Sequence, residues 1–250
     1  MKSSLYDPAF ERDSCGFGLI ANLDDLPSHW VVETAISALA RLTHRGAVAA
    51  DGKTGDGCGL LIKFPEAFMR AVGDELGFSL GRRFAAGTVF LSQDAAAADE
   101  ARKAIDAAIV ETGLETAGWR KVPTDPSVCG DQALETLPRI EQVFVNAPEG
   151  MPRGRFNRRL FLARRKAEKR LGEGETYIAS LSSASISYKG MIMPSALPEF
   201  YPDLCDERLE SSVCVFHQRF STNTLPEWRL AQPFRFLAHN GEINTISGNR

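Results

Sequence analysis

Three short segments hold residue types that could act on one substrate together: CGFG at 15–18, HQRFST at 217–222 and AHNGEINT at 238–245. A thiol that attacks an amide carbon needs a base, donors for the tetrahedral oxyanion and a grip on the substrate. Cys15 supplies both attacker and base if Met1–Ser14 is removed, because it then carries a free α-amine beside its thiol. An α-amine has a reference pKa of about 7.7–8.0, close to the roughly 8.5 of a cysteine thiol, so the amine can take the thiol proton near neutral pH. The peptide form of that nitrogen has no available lone pair, and the uncleaved chain lacks its base. Asn240 and Gly241 offer a side-chain amide donor and an unobstructed backbone N–H, the pair an oxyanion hole requires. Arg219, at the end of a strand-like run, can hold a carboxylate in a bidentate grip. Taken singly, Arg219 reads as a surface ion pair and Asn240-Gly241 as a hairpin turn. It is their conjunction with Cys15 that points to nucleophilic amide chemistry.

These residues must be placed by a chain of 250 residues, 44% hydrophobic and 24% charged. Such ordinary values argue against disorder, collagen-like repeats and coiled coil. The 29 Lys and Arg against 32 Asp and Glu leave a formal charge of −3, which gives no overall field for steering nucleic acid. No apolar run approaches the roughly 18 residues of a membrane span. MKSSLYDPAFERDS is too polar for a secretory signal, so a cytoplasmic protein is expected. CGFGLIANL reads as a strand, followed by a helix with Ser28 as N-cap and Val31, Ala35, Ala38 and Leu42 along one stripe. DGKTGDGCG reads as turn, GLLIKFP and FAAGTVFLS as strands, and residues 94–112 as an Ala-rich helix. EQVFVNA reads as a strand, and a second helical stripe runs through Phe156, Leu160, Ala163, Ala167 and Leu171. TYIASLSS and ASISYKG read as paired strands, with further strands in SSVCVFHQRFST and FRFLAHNG. Strands that follow one another closely favour antiparallel pairs over βαβ units, hence an α+β fold.

Other signals carry less. Cys15, Cys58, Cys129, Cys205 and Cys214 are odd in number and widely spaced, with neither Cys-x-x-Cys nor Cys/His zinc spacing, so no metal site and no disulfide scaffold is expected. Apart from Cys15 they read as small buried hydrophobes. GFGLIA matches a dinucleotide fingerprint but lacks the strand before it and the helix after it. The basic run RGRFNRRLFLARRKAEKR, 153–170, reads as a solvated helix face rather than a nucleic-acid platform, because its apolar stripe is regular. GDG at 55–57 reads as a tight turn.

CGFGLIA after a short polar leader, LTHRGA, TGDGCGLL, FHQRFSTNT with Pro226 and Trp228 just beyond, and FRFLAHNGEINTISGN occur in that order. From about Tyr6 to Arg250 the chain resembles the N-terminal glutaminase domain of glutamate synthase large subunits, which belongs to the type 2, N-terminal-nucleophile (Ntn) glutamine amidotransferases. The resemblance implies a four-layer αββα sandwich with largely antiparallel sheets, its C-terminal part missing here. It implies a leader at 1–14, lost autocatalytically, and an amidotransferase domain at 15–250. Cys15 becomes the nucleophile, Arg219 the residue that binds the glutamine α-carboxylate, Asn240 and Gly241 the oxyanion hole, and Arg45 in THRGA a positioning residue near the nucleophile. An acidic residue for the substrate amino group is expected beyond Arg250. No cofactor is implied in this segment. FMN and an iron–sulfur cluster are expected in downstream synthase domains, fed by an NADPH-dependent small subunit or by ferredoxin, with no nucleic-acid or membrane partner. Two alternatives stand beside this reading: another type 2 amidotransferase, such as the phosphoribosyl-pyrophosphate enzyme, and a non-catalytic remnant.

Overall fold

Apolar residues at alternate positions in FGLIA and VCVFHQ build the first two strands to meet. β1 (Phe17–Ala21) runs antiparallel to β8 (Val213–Gln218), with Phe17 opposite His217. The computed structural model of the chain describes residues 16–172, 174–219 and 225–234. Within it β8 also pairs with β2 (Thr54–Lys63), and β2 with β7 (Ser185–Ile192), giving a sheet in the order β1-β8-β2-β7. A second sheet has the order β4-β5-β3-β6, from β4 (Glu115–Lys121), β5 (Arg139–Asn146), β3 (Phe84–Leu91) and β6 (Tyr177–Ile178). The pairings in both sheets are antiparallel, as expected of an α+β sandwich.

The helices follow from their apolar stripes. α3 (Ala95–Glu111) starts at Asp94, whose carboxylate accepts the Ala97 N–H at 2.8 Å. α5 (Arg153–Leu171) buries Phe156, Leu160, Ala163 and Ala167 against Ile105, Ala108 and Ile109 of α3 and against Val89, Val143 and Val145 of the second sheet. Its basic residues meet carboxylates at the surface. Arg164 and Arg165 pair with Glu168 at 2.7 and 2.6 Å, and Lys166 and Arg170 pair with Glu111. The opposite face of that sheet, with Phe84, Ala86, Phe90, Ile140 and Phe144, enters a second core. There it meets Leu60, Ile62, Tyr188, Cys214 and Phe216 of the first sheet, α1 (His29–Arg41) and α2 (Glu66–Glu75). Ser28 precedes α1 as predicted, but its side chain makes no capping bond. Its backbone is engaged instead in a two-way bridge with Ser211 at 3.1 and 3.2 Å. Ala38 and Leu42 lie at the edge of the buried stripe, only partly covered.

Two expectations are corrected. DGKTGDGCG is turn only as far as Lys53, because β2 begins at Thr54 and runs through the glycines. A Cβ on Gly55 would come within 2.6 Å of the Ile192 carbonyl oxygen, and one on Gly57 within 3.2 Å of Ala231 Cβ. These glycines are therefore sites of close backbone approach inside a sheet. TYIASLSS and ASISYKG do not pair with each other. β6 joins β3 and β7 joins β2, in different sheets. Between them the Ser180 hydroxyl accepts the Thr88 N–H at 3.2 Å and the Ser187 N–H at 3.4 Å, which fixes the crossing from one sheet to the other. α2 and β4 are elements that periodicity did not reveal. FRFLAHNG beyond Phe234 lies outside the described residues. Among the described residues no helix is long and apolar enough to cross a membrane.

A buried polar network ties the layers together. Arg120 of β4 donates to Gln142 of β5 at 2.8 Å and pairs with Asp203, which also accepts the Tyr188 hydroxyl at 2.8 Å. Removing one partner of such a pair leaves the other charge buried and uncompensated. Asp203→Ala should therefore cost about 3–5 kcal/mol in urea unfolding. A loss below about 1 kcal/mol would mean that Arg120 finds water or another partner.

Candidate active site

The end of β8 is where the chain at Gly16, the start of β2 and Arg219 meet. The Gln218 N–H bonds the Gly16 carbonyl at 2.5 Å, and the Arg219 N–H bonds the Gly57 carbonyl at 2.8 Å. Arg219 itself turns into the left-handed region, with φ 77°. For a residue with a side chain that costs on the order of 1–3 kcal/mol and persists only where the surroundings impose it. The imposed turn carries the guanidinium back over the start of β2. Its Nη1 donates to the Arg45 carbonyl at 3.3 Å, and its Nε lies 3.4 Å from Asp56 Oδ2. Gln218 Nε2 reaches Asp56 Oδ1 at 3.5 Å. Arg45 closes the short helical turn Thr43–Arg45, and Gly46 follows it. A Cβ on Gly46 would fall 1.8 Å from Gln218 Nε2 and 3.0 Å from Asp56 Oδ1, so a glycine is needed for this turn to press against the pair.

The electrostatics of this corner are unusual. Asp56 is 8% exposed, and burial pushes its carboxyl above the ordinary value of 3.8. Backbone hydrogen bonds at Ala47 and Asp56 and the Arg219 charge oppose that rise without cancelling it. Asp56 Oδ2 and Arg219 Nε are within ion-pair distance but not aligned as a hydrogen bond, and Gln218 Oε1 is buried with no hydrogen-bond partner among the described residues. Native proteins satisfy nearly all buried polar groups, so Asp56 Oδ2, Gln218 Oε1 and Arg219 Nε, each without a hydrogen bond among the described residues, set this corner apart. The Arg219 side chain is 35% exposed although its Nε is buried.

Of the residues singled out from sequence, Arg219 and Arg45 are brought into contact. Cys15, Asn240 and Gly241 lie outside the described residues, but Gly16, joined to Cys15 by one peptide bond, is described and buried. Asp56 was missed, because GDG was read as a tight turn. The available signal was an acid set between glycines directly before an apolar run. The other cysteines are no substitutes as nucleophiles. Burial pushes Cys129 up to about 11 and Cys214 up to about 12, and Cys58 higher still. Cys205, expected to be buried, is exposed. A cleft of about 760 Å³ beside Phe90, Tyr177 and Trp228 is lined by none of the site residues.

Residues 15–250 match the family model of the class-II glutamine amidotransferases. The chain belongs to that family. Among its relatives within the class-II amidotransferases are glutamate synthases. The NADPH glutamate synthase large chain of Azospirillum brasilense is 46% identical over 252 residues, covering 99% of this chain and 17% of the relative. Ferredoxin-dependent glutamate synthase 1 of Arabidopsis thaliana is 42% identical, over 99% of this chain and 16% of its own length. The NADPH large chain of Bacillus subtilis is 41% identical, over 98% and 16%. The chain thus spans about a sixth of these relatives. Their names favour the synthase branch over the phosphoribosyl-pyrophosphate alternative.

Asp56 in this amidotransferase domain has a pH signature. Its folded-state pKa is raised, so the fold holds the proton more tightly than the unfolded chain does, and its contribution to stability declines as pH rises from 3.8 through the folded value. Asp56→Asn removes that dependence. The variant should gain stability relative to the parent between pH 4 and pH 7 in urea titrations, whereas a constant difference would show that burial does not govern this carboxyl.

Proposed function

We propose that this chain hydrolyses the side-chain amide of glutamine, with Cys15 as nucleophile once residues 1–14 have been removed. The observation that carries the reading is the left-handed Arg219, set on Asp56 and Arg45 beside Gly16, the neighbour of Cys15. The family match beginning at residue 15 supports a domain that starts there. In this mechanism the Cys15 thiol gives its proton to its own α-amine, and the thiolate attacks the amide carbon. The Asn240 side chain and the Gly241 N–H stabilise the oxyanion that forms. The protonated amine then passes its proton to the departing ammonia, leaving a γ-glutamyl thioester that water cleaves to glutamate. Arg219 holds the substrate α-carboxylate, Asp56 steadies the guanidinium from its Nε side, and Arg45 supports Arg219 through its carbonyl.

In the larger protein the ammonia would serve reductive formation of glutamate from 2-oxoglutarate, in the cytoplasm. The relatives' names support this, two of them naming NADPH and one ferredoxin. FMN and iron–sulfur chemistry would belong to parts of the synthase outside this chain, with electrons delivered through a small subunit or from ferredoxin.

The purified protein should begin at Cys15 by intact mass, and Cys15→Ala should abolish glutamine hydrolysis. Retained hydrolysis in that variant, or full activity with Met1–Ser14 still attached, would overturn the mechanism. Arg219→Lys loses the planar fork while keeping the charge. It should raise KM for glutamine about 10- to 100-fold with kcat changed far less, since charge-assisted hydrogen bonds of about 1.5–3 kcal/mol act on bound substrate and transition state alike.

A further inference from the structure

Asp51 stands at the tip of the loop between Arg45 and β2, where its carboxylate is a hub for hydrogen bonds. Oδ1 accepts the N–H of Lys53 at 2.9 Å and of Thr54 at 2.7 Å, while Oδ2 accepts the Thr54 hydroxyl at 2.5 Å and the Gln132 N–H at 3.3 Å. The Thr54 oxygen in turn accepts the Ala133 N–H at 3.2 Å. Gln132 and Ala133 lie in the first turn of α4 (Asp131–Glu135), whose N-cap is Gly130 and has no side chain to offer. Asp51 and Thr54 do for α4 what a capping side chain would do, across 81 and 79 residues of sequence. A Cβ on Gly130 would fall 2.4 Å from both Asp51 Oδ2 and Thr54 Oγ1, so this close approach needs a glycine there. The bonds from Thr54, followed by those from Lys53 and Gln132, hold the Asp51 carboxyl well below the usual carboxylate range.

The loop that Asp51 ties down is a hairpin, and both of its arms meet Arg219. On the first arm the Ala47 carbonyl accepts the Asp56 N–H at 3.2 Å, and the Arg45 carbonyl just before it accepts Arg219 Nη1. On the second arm Asp56 faces Arg219 Nε. Between that corner and the tip, the arms are joined by the Ala49 N–H to the Thr54 carbonyl at 2.9 Å and by the Val48–Gly55 bridge. Ala47, Val48, Ala50, Gly52 and Lys53 are exposed, so little buried surface holds the first arm in place. A two-stranded ribbon of this kind is marginal in water by itself. We infer that Asp51 is a positioning residue for substrate binding: by fastening the hairpin tip to α4 it keeps the Arg45 carbonyl and Asp56 closed on Arg219, and so sets the orientation in which the guanidinium meets the substrate carboxylate. The inference rests on the proposed role of Arg219 in holding that carboxylate. Its consequence falls on binding more than on the chemical step, because the carboxylate grip is shared by bound substrate and transition state.

The test compares Asp51→Ala, which removes every bond of the carboxylate, with Asp51→Asn, which keeps one acceptor oxygen for the Lys53 and Thr54 N–H groups, in the purified full chain. Glutamine hydrolysis by Asp51→Ala should show KM raised about tenfold or more, with kcat within about threefold of the parent. Asp51→Asn should recover part of that loss. Hydrogen–deuterium exchange should rise across residues 46–57 and at the start of α4, and stay unchanged in β3 and β5. An unchanged KM, a kcat that falls as steeply as KM rises, or exchange raised throughout both sheets would each overturn the inference. If Asp51→Ala does not fold, the same comparison is read from Asp51→Asn against the parent. A parent protein without glutaminase activity would instead refute the proposed function, and the exchange pattern would still decide whether Asp51 holds the hairpin on the Arg219 corner.

Discussion

A carboxylate set under a guanidinium at the edge of a sheet gains little if both are free to swing into water, because exposed ion pairs contribute almost nothing. Asp56 is not free. It is carried on a strand paired on both sides, and burial has stripped away most of its solvation. An uncompensated charge there would be costly, so the fold is under pressure to keep Arg219 within reach. The left-handed backbone at Arg219 is how that demand is met. An extended continuation of β8 would carry the side chain onward along the strand, whereas the turn sends it back over Asp56 and Arg45. Two unfavourable features, a desolvated acid and a strained residue, hold each other in place. Together they leave a partly exposed guanidinium in one defined orientation, which a flexible surface arginine would not provide.

Rigidity at that corner derives from the position of β8. It lies between β1 and β2, hydrogen-bonded to both, so the chain at Gly16, the chain at Gly57 and the Arg219 turn move as one body. The core formed by α3, α5 and one face of the second sheet contains none of the site residues. Its contribution is to fix β3 and β5, whose other faces pack into the core that carries β2 and β8. The division explains why α3 and α5 say so little about function: they support the sheet beneath the site, and their core holds none of its described residues.

What could be read from the sequence follows the same division. α1, α3 and α5 were legible because each buries a regular stripe of its own side chains, and β1, β3, β5 and β8 because each is a short apolar run, β3 and β5 buried along nearly their whole length. The glycine-rich half of β2 was not, because local turn chemistry and close backbone approach within a sheet both select glycine, and only the distant neighbours Ile192 and Ala231 distinguish them. The crossing at Ser180 was hidden for a related reason. Two strand-like runs with a short connection resemble a hairpin unless one knows that a serine hydroxyl bridges two sheets. At this corner Arg219 and Arg45 could be singled out by residue type and order, while Cys15, Asn240 and Gly241, singled out with them, lie outside the described residues. Asp56 escaped because its importance lies in what covers it, and burial is a property of the assembled fold.

Asp56 and Lys189 show two ways of burying a charge beside the same strand. Asp56 faces an arginine whose side chain is still partly exposed, so their interaction is not closed off within the protein. Lys189 faces only backbone carbonyls and aromatic rings, so its interactions are spent within the protein on the path of the chain. The first arrangement leaves a guanidinium partly exposed and the second fixes the path of the chain. Both converge on Gly57, whose carbonyl holds Arg219 and whose missing side chain admits Ala231. A Cβ at that position would press on Ala231 at 3.2 Å, on a backbone angle that L side chains rarely adopt. A glycine whose φ is +111° is therefore the point at which the Arg219 turn and the segment 229–234 are brought to a common reference.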